Sequence, residues 1–204
     1  MTDGMTPKRV LLLLAGGFET MEFSVFVDVM GWARCDFGCD ITVETCGVSE
    51  REVVSTFGVP VTADRVLCEI SADDYDALAI PGGFEEYGFY KEAFSPEVSA
   101  LIRAFDAQKK PIASVCVAAL SLAHSGILAG REATTYHLQG GHRQHQLAAY
   151  GVNVRHEPIV ISEHIITSSC PQTAPGVAFA LLSMLCGDAK MREVRAAMGY
   201  GCDG

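Results

Sequence analysis

The sequence predicts one α/β domain: a mostly parallel sheet with helices on both faces and a sharp strand-to-helix turn at Cys116. Three observations carry this. Short apolar runs alternate with longer stretches of helical spacing along the 204 residues, the pattern of strand–helix–strand units. Residues 9–14, apolar from Val10 onward, read as a strand covered on both faces. No internal repeat or linker divides the chain, so a single domain over 1–204 is expected, with 1–7 and 199–204 as flexible tails.

The elements follow in order. After the first strand a Gly16-Gly17 turn leads to a helix over 21–37, with Met21, Val25, Val29, Trp32 and Ala33 at helical spacing and Gly38 as its stop. Residues 40–46 read as a second strand. Residues 53–56 and 59–62 flank Phe57-Gly58 as a small hairpin or irregular excursion. Residues 75–80 form a strand running into Pro81-Gly82-Gly83. Ser95-Pro96-Glu97 opens a helix that reaches about Gln108: a serine cap, a proline in the first turn and an acid against the dipole. A strand over 111–115 precedes a helix over 116–124 that Gly126 can end. Residues 132–135 are β-like and 137–150 helical, with Gly151 as the stop. Three short strands follow at 152–154, 159–162 and 164–168. A core helix then runs from Thr173 to Leu185, and a surface helix spans 188–197.

Composition bounds the function. The net charge of −10 repels phosphate backbones and anionic surfaces, so neither nucleic acid nor membrane is an expected partner. The apolar run after Lys8-Arg9 is too short for a signal peptide and is cut by Gly16-Gly17. The eight cysteines are therefore expected as free thiols in a reducing cytoplasm. Cys35, Cys39 and Cys46 read better as buried small hydrophobes than as zinc ligands. His137, His142 and His145 lack a local cysteine or carboxylate to complete a metal set. No metal is expected.

The chemistry should sit where open parallel sheets bind ligands, at the carboxyl ends of the strands. Three loops there stand out: 15–22, Pro81-Gly82-Gly83-Phe84, and Ser114-Val115-Cys116-Val117-Ala118. The last resembles a nucleophile elbow, which needs small residues two before and two after the nucleophile. Ser114 and Ala118 satisfy this, although glycine is the usual residue at those places. A thiol at a helix N-terminus is lowered from about 8.5 to roughly 3.5–7.5, so Cys116 is the candidate nucleophile. Glu22, in the first helical turn, could move its proton, and Glu19 competes for that role. Gly82, Gly83 and Val117 can offer backbone N–H groups to an oxyanion.

These residues resemble the ThiJ/PfpI superfamily, in particular the branch of the Parkinson-disease protein deglycase. The similarity covers roughly residues 8–185 and rests on five segments: the glycine turn to Met21-Glu22, Ile80-Pro81-Gly82-Gly83, Ala113-Ser114-Val115-Cys116, Ala133-Thr134-Thr135, and Ile165-Ile166-Thr167-Ser168. The resemblance implies a flavodoxin-like three-layer sandwich and a homodimer. It implies Cys116 as the reactive, oxidisable cysteine, Glu22 as its carboxyl partner and Gly83 as a backbone donor. It further implies cofactor-free chemistry on a small-molecule substrate, such as glyoxalase or deglycase conversion of reactive dicarbonyls. Redox sensing or chaperoning through Cys116 is the alternative. Amidase, peptidase or isonitrile hydratase chemistry ranks lower, because Val117 stands where the peptidase branch has histidine. The family histidine follows the two threonines directly. Here Tyr136 intervenes before His137, and either could fill the place. Cys170 replaces part of a Gly-Pro-rich loop, either as a second thiol near the site or as a packed loop residue.

Overall fold

The structure, a computed structural model, describes residues 7–201. The chain runs β1 (Lys8–Leu14), α1 (Thr20–Phe37), β2 (Ile41–Gly47), a hairpin of β3 (Glu52–Val54) and β4 (Pro60–Thr62), β5 (Arg65–Val66) and β6 (Ala77–Ile80). It continues through α2 (Phe89–Ala93), α3 (Pro96–Ala107), β7 (Ile112–Ser114), α4 (Ala119–His124), β8 (Glu132–Ala133), α5 (His142–Ala149) and β9 (Asn153–Val154). The last elements are β10 (Ile159–Ser162), β11 (Ile165–Ser168), α6 (Ala174–Cys186) and α7 (Asp188–Ala197). Seven strands form the main sheet in the order β10-β11-β7-β6-β1-β2-β5. Every neighbouring pair is parallel except β10–β11 at one edge.

The sequence explains the layering. Val10 to Leu14 in β1 are all at most 1 % exposed, because β1 lies inside the sheet and helices cover both of its faces. Helices α1, α6 and α7 pack together as one layer, while α2, α3, α4 and α5 form a second group. Both α3 and α6 rest on β7, which places the sheet between them. The helix ends follow the sequence signals. The Ser95 hydroxyl accepts the Val98 N–H, Pro96 opens α3, and Gly38 ends α1 in the left-handed conformation at φ 69°.

Several expectations change. The helix expected over 137–150 shrinks to α5, because Gln139, Gly140 and Gly141 all take positive φ and break the ladder before His142. Residues 85–93, left without an element by the sequence reading, hold a tight turn over Glu85–Tyr87 and then α2. Cys39 and Cys46 are buried as expected, but Cys35 is exposed on α1. The cysteines among the described residues are free thiols. The expected tails fall largely at 1–6 and 202–204, outside the described residues.

Candidate active site

Strands β1, β6 and β7 are adjacent and parallel, so the three loops singled out by sequence leave the sheet on one edge. The first two are joined directly. Phe18 and Gly83 form an antiparallel bridge; the Glu19 N–H donates to the Gly82 carbonyl at 2.8 Å and the Phe84 N–H to the Gly17 carbonyl at 3.2 Å. This leaves no room for side chains. A Cβ on Gly83 would sit 2.3 Å from the Gly17 oxygen, and one on Gly82 would sit 2.8 Å from the Glu22 carboxyl and 2.9 Å from the Val115 oxygen.

Glu22 lies in the first turn of α1 and is only 1 % exposed. Its Oε2 accepts the Gly82 N–H at 2.6 Å, and the Cys116 side chain lies beside it across Gly82. Cys116 takes a left-handed backbone at φ 56°, the strained turn of a nucleophile elbow. Contacts on both sides hold that turn. The Val115 N–H donates to the Ile80 carbonyl at 3.2 Å, and the Thr135 hydroxyl donates to the Cys116 carbonyl at 2.9 Å. Thr135 is fully buried, so the segment after β8 braces the elbow from behind.

The electrostatics differ from the sequence expectation. Burial pushes Glu22 up from 4.5 to about 8, and the nearby Glu19 charge adds to this; the Gly82 N–H and Cys116 pull the other way. Burial, followed by the Glu22 charge, pushes the Cys116 thiol well above its ordinary value, and the Val117 N–H on the sulfur only partly opposes them. The expected acidification by a helix N-terminus is weak for a structural reason. Cys116 opens a tight turn, Cys116–Ala118, and α4 beyond it has only six residues. Ionising one group makes the other harder to ionise, so the pair keeps a proton. A carboxyl near 8 beside the thiol is suited to take the sulfur's proton as it attacks, and to return it afterwards.

A cavity of about 430 Å³ opens onto the pair. Glu19, Gly83, Val117, Tyr136 and Cys170 line it together with Glu22 and Cys116. Gly82 does not, and its N–H is taken by Glu22. The Gly83 N–H has no hydrogen-bond acceptor among the described residues, which leaves it as the glycine donor facing the cavity. Tyr136 rather than His137 fills the place after Thr135: Tyr136 lines the cavity, whereas His137 is exposed outside it. Burial, with Cys116 and Cys170 nearby, raises the Tyr136 hydroxyl and keeps it protonated. Of the two places the sequence allowed Cys170, the structure shows it on the cavity wall. Arg143 had gone unnoticed. It also lines the cavity, bonded to Glu85 at 2.8 Å and lying 5.2 Å over the Tyr90 ring. No local motif announces it, because residues 137–150 read as an ordinary amphipathic helix. A larger opening of about 760 Å³, bounded by Cys68 and Leu101, contains none of the catalytic candidates.

A parallel sheet, a left-handed cysteine after an inner strand and a buried carboxyl across from it define the class: an α/β protein with a cysteine elbow. The DJ-1/PfpI family pattern matches residues 8–184, and the chain belongs to that family. Its members are cysteine-dependent enzymes or stress-response proteins. The chain is 30% identical over 188 residues to protein dj-1beta of Drosophila melanogaster, covering 92% of this chain and 94% of the relative. The crystal structure of Drosophila melanogaster DJ-1beta superposes with a TM-score of 0.85 at 28% identity, over 97% of this chain and 100% of that one. Oxidized Toxoplasma gondii DJ-1 gives a TM-score of 0.80 at 25% identity, over 96% and 100%.

Two predictions follow from the carboxyl–thiol pair. Alkylation of Cys116 should speed up through a midpoint near 8, set by Glu22. Glu22→Gln should slow it at neutral pH by roughly 100-fold or more and remove that step. Glu19→Gln should move the midpoint downward, since its charge helps to raise Glu22. A profile unchanged in Glu22→Gln would exclude this carboxyl from the role. The second concerns stability. The folded value of Glu22 lies above its ordinary 4.5, so folding favours the protonated form. Its contribution is complete below about 4.5 and is lost as pH rises through about 8. At about 1.4 kcal/mol per unit, the loss amounts to several kcal/mol. Urea unfolding at acid and at mildly alkaline pH should show wild type losing more stability than Glu22→Gln, and equal losses would contradict the raised value.

Proposed function

We propose that this protein is a cysteine-dependent, cofactor-free enzyme acting on small electrophiles, converting reactive dicarbonyls in the manner of a glyoxalase or deglycase. The observation that carries the reading is the buried Glu22, near 8, beside the Cys116 side chain in a 430 Å³ cavity. A cavity of that size suits a small molecule. Glu22 takes the thiol proton as the sulfur adds to the aldehyde carbon, forming a C–S bond and an alkoxide. The Gly83 N–H and the protonated Tyr136 hydroxyl are the donors for that oxygen. Glu22 returns that proton to the alkoxide, then carries a proton from this carbon to its neighbour as the hydroxyl proton passes to the second oxygen, and water cleaves the resulting thioester to release a hydroxy acid and the thiol. Of the two residues the sequence left open, Tyr136 lines the cavity and His137 does not. Amide cleavage ranks lower: among the described residues no histidine lines the cavity, and Val117 is the cysteine's neighbour.

The same reading puts the protein in the cytoplasm, supported by the free thiols among the described residues, and treats it as a homodimer. No helix among the described residues is long and apolar enough to cross a membrane. An exposed ring cluster supports the dimer. Phe57 at the hairpin tip lies 5.9 Å from Phe84, which lies 6.5 Å from Tyr87, and the three are 69%, 42% and 58% exposed. Such contiguous aromatic surface is characteristic of interfaces.

Chelator-treated protein should form lactate from methylglyoxal, and Cys116→Ala should abolish this with the fold intact. Activity that survives in Cys116→Ala, or is absent from well-folded wild type, would overturn the reaction assigned. Light scattering at micromolar concentration should give the dimer mass for wild type and the monomer mass for Phe57→Glu. A monomeric wild type would refute the assembly.

A further inference from the structure

We propose that Cys116 and Cys170 form a peroxide-driven disulfide pair, with Cys170 as the resolving thiol. The proposal shares with the preceding section only the premise that Cys116 is the reactive thiol; it does not require turnover of any carbonyl.

The two sulfurs belong to one cavity. Cys116 and Cys170 both line the 430 Å³ space, and each stands within the electrostatic reach of the other and of the Tyr136 hydroxyl. The sheet explains why. Strand β11 runs parallel to β7 with Ile165 opposite Ile112 and Ile166 opposite Ala113. Strand β7 ends at Ser114 and β11 at Ser168, so the elbow and the loop carrying Cys170 leave neighbouring parallel strands at the same sheet edge and meet at the cavity.

The backbone of Cys170 is held in place. Its carbonyl accepts both the Thr173 N–H at 3.0 Å and the Thr173 hydroxyl at 2.6 Å. The Ser169 hydroxyl donates to its sulfur at 3.7 Å. No other described thiol competes. Cys46 is buried against the Gly47 carbonyl, Cys39 partners Cys186, and Cys35 and Cys68 lie elsewhere on the exposed surface.

The chemistry balances with a hydroperoxide as the oxidant. The Cys116 sulfur, its proton passed to Glu22, attacks one peroxide oxygen. An S–O bond forms, the O–O bond breaks, the sulfur is oxidised by two electrons to the sulfenic acid, and the peroxide leaves as water or an alcohol. Cys170 then attacks the Cys116 sulfur, an S–S bond forms, and hydroxide departs with the Cys170 proton as water. Without this partner the sulfenic acid continues to sulfinic acid, which thiols do not reduce.

The test is titration of the intact protein with hydrogen peroxide, followed by peptide mass spectrometry. Wild type should lose two hydrogens and yield a cross-linked peptide whose fragments place the bond on Cys116 and Cys170, not Cys186. Dithiothreitol should restore free Cys116. Cys170→Ser should accumulate sulfinic acid on Cys116 on the order of tenfold faster, beyond rescue by dithiothreitol. Sulfinic acid forming equally fast in both proteins, with no cross-link in wild type, would overturn the proposal. A wild type that forms the bond yet makes no lactate would sink only the carbonyl reaction.

Discussion

The Gly82 N–H donated to the Glu22 carboxyl is the contact on which the site depends. It ties the first turn of α1 to the loop after β6, and it gives a carboxyl that is 1 % exposed the donor it needs. A buried acid with no such partner would be far more costly. Tight spacing follows from it. Only glycine fits at position 82 between Glu22 and the Val115 oxygen, and only glycine fits at 83 against the Gly17 oxygen. The bridge between Phe18 and Gly83 then fixes the two loops, and the elbow at Cys116 packs into the space that remains. Each loop is short because its strand is central and parallel, and the chemistry lies where the three strands end.

Burial is therefore the common cause of the fold's rigidity and of the site's proton affinity. Surroundings that exclude water raise Glu22 and Cys116 together. A thiol of this kind is a poor standing nucleophile but an effective one when a neighbouring base accepts its proton during attack. The thiolate expected from a helix N-terminus assumed an exposed sulfur and a long helix. Cys116 is 7% exposed and is followed by one tight turn and a six-residue helix. In the proposed reaction the carboxyl therefore activates the sulfur.

Much of this was legible in the chain. Apolar runs marked β1, β6 and β7, and proline and glycine punctuation marked where α1 and α3 begin and end. The glycine turn, Pro81-Gly82-Gly83 and the Cys116 elbow were visible because close backbone approach demands particular residues. Less was legible where the answer depends on long-range packing. Whether Tyr136 or His137 enters the cavity is settled by Thr135, which is buried on the Cys116 carbonyl and leaves the next residue facing inward. The break at Gln139–Gly141 needs positive φ at a glutamine, which no helical period reveals. Cys170 becomes a cavity residue only through the register of β11 on β7, a pairing between segments more than fifty residues apart.

The cavity's residues also limit what chemistry it can perform. Tyr136 is kept protonated and can donate, but it cannot accept a proton near neutral pH. Val117 can offer only its backbone. With no histidine on the wall among the described residues, the proposed reaction leaves proton movement to Glu22, with Glu19 modulating its charge. One base that accepts a proton and returns it suffices for addition and a proton shift between neighbouring carbons. Expelling an amine from an amide asks for a second, independent acid. Charge narrows the substrate further. With Glu22 raised to about 8, the charged groups among the described lining residues are Glu19, Glu85, Glu86 and Arg143, and the Arg143 charge is already offset by Glu85. Such a cavity disfavours anions, and a small neutral electrophile can enter without separating that ion pair.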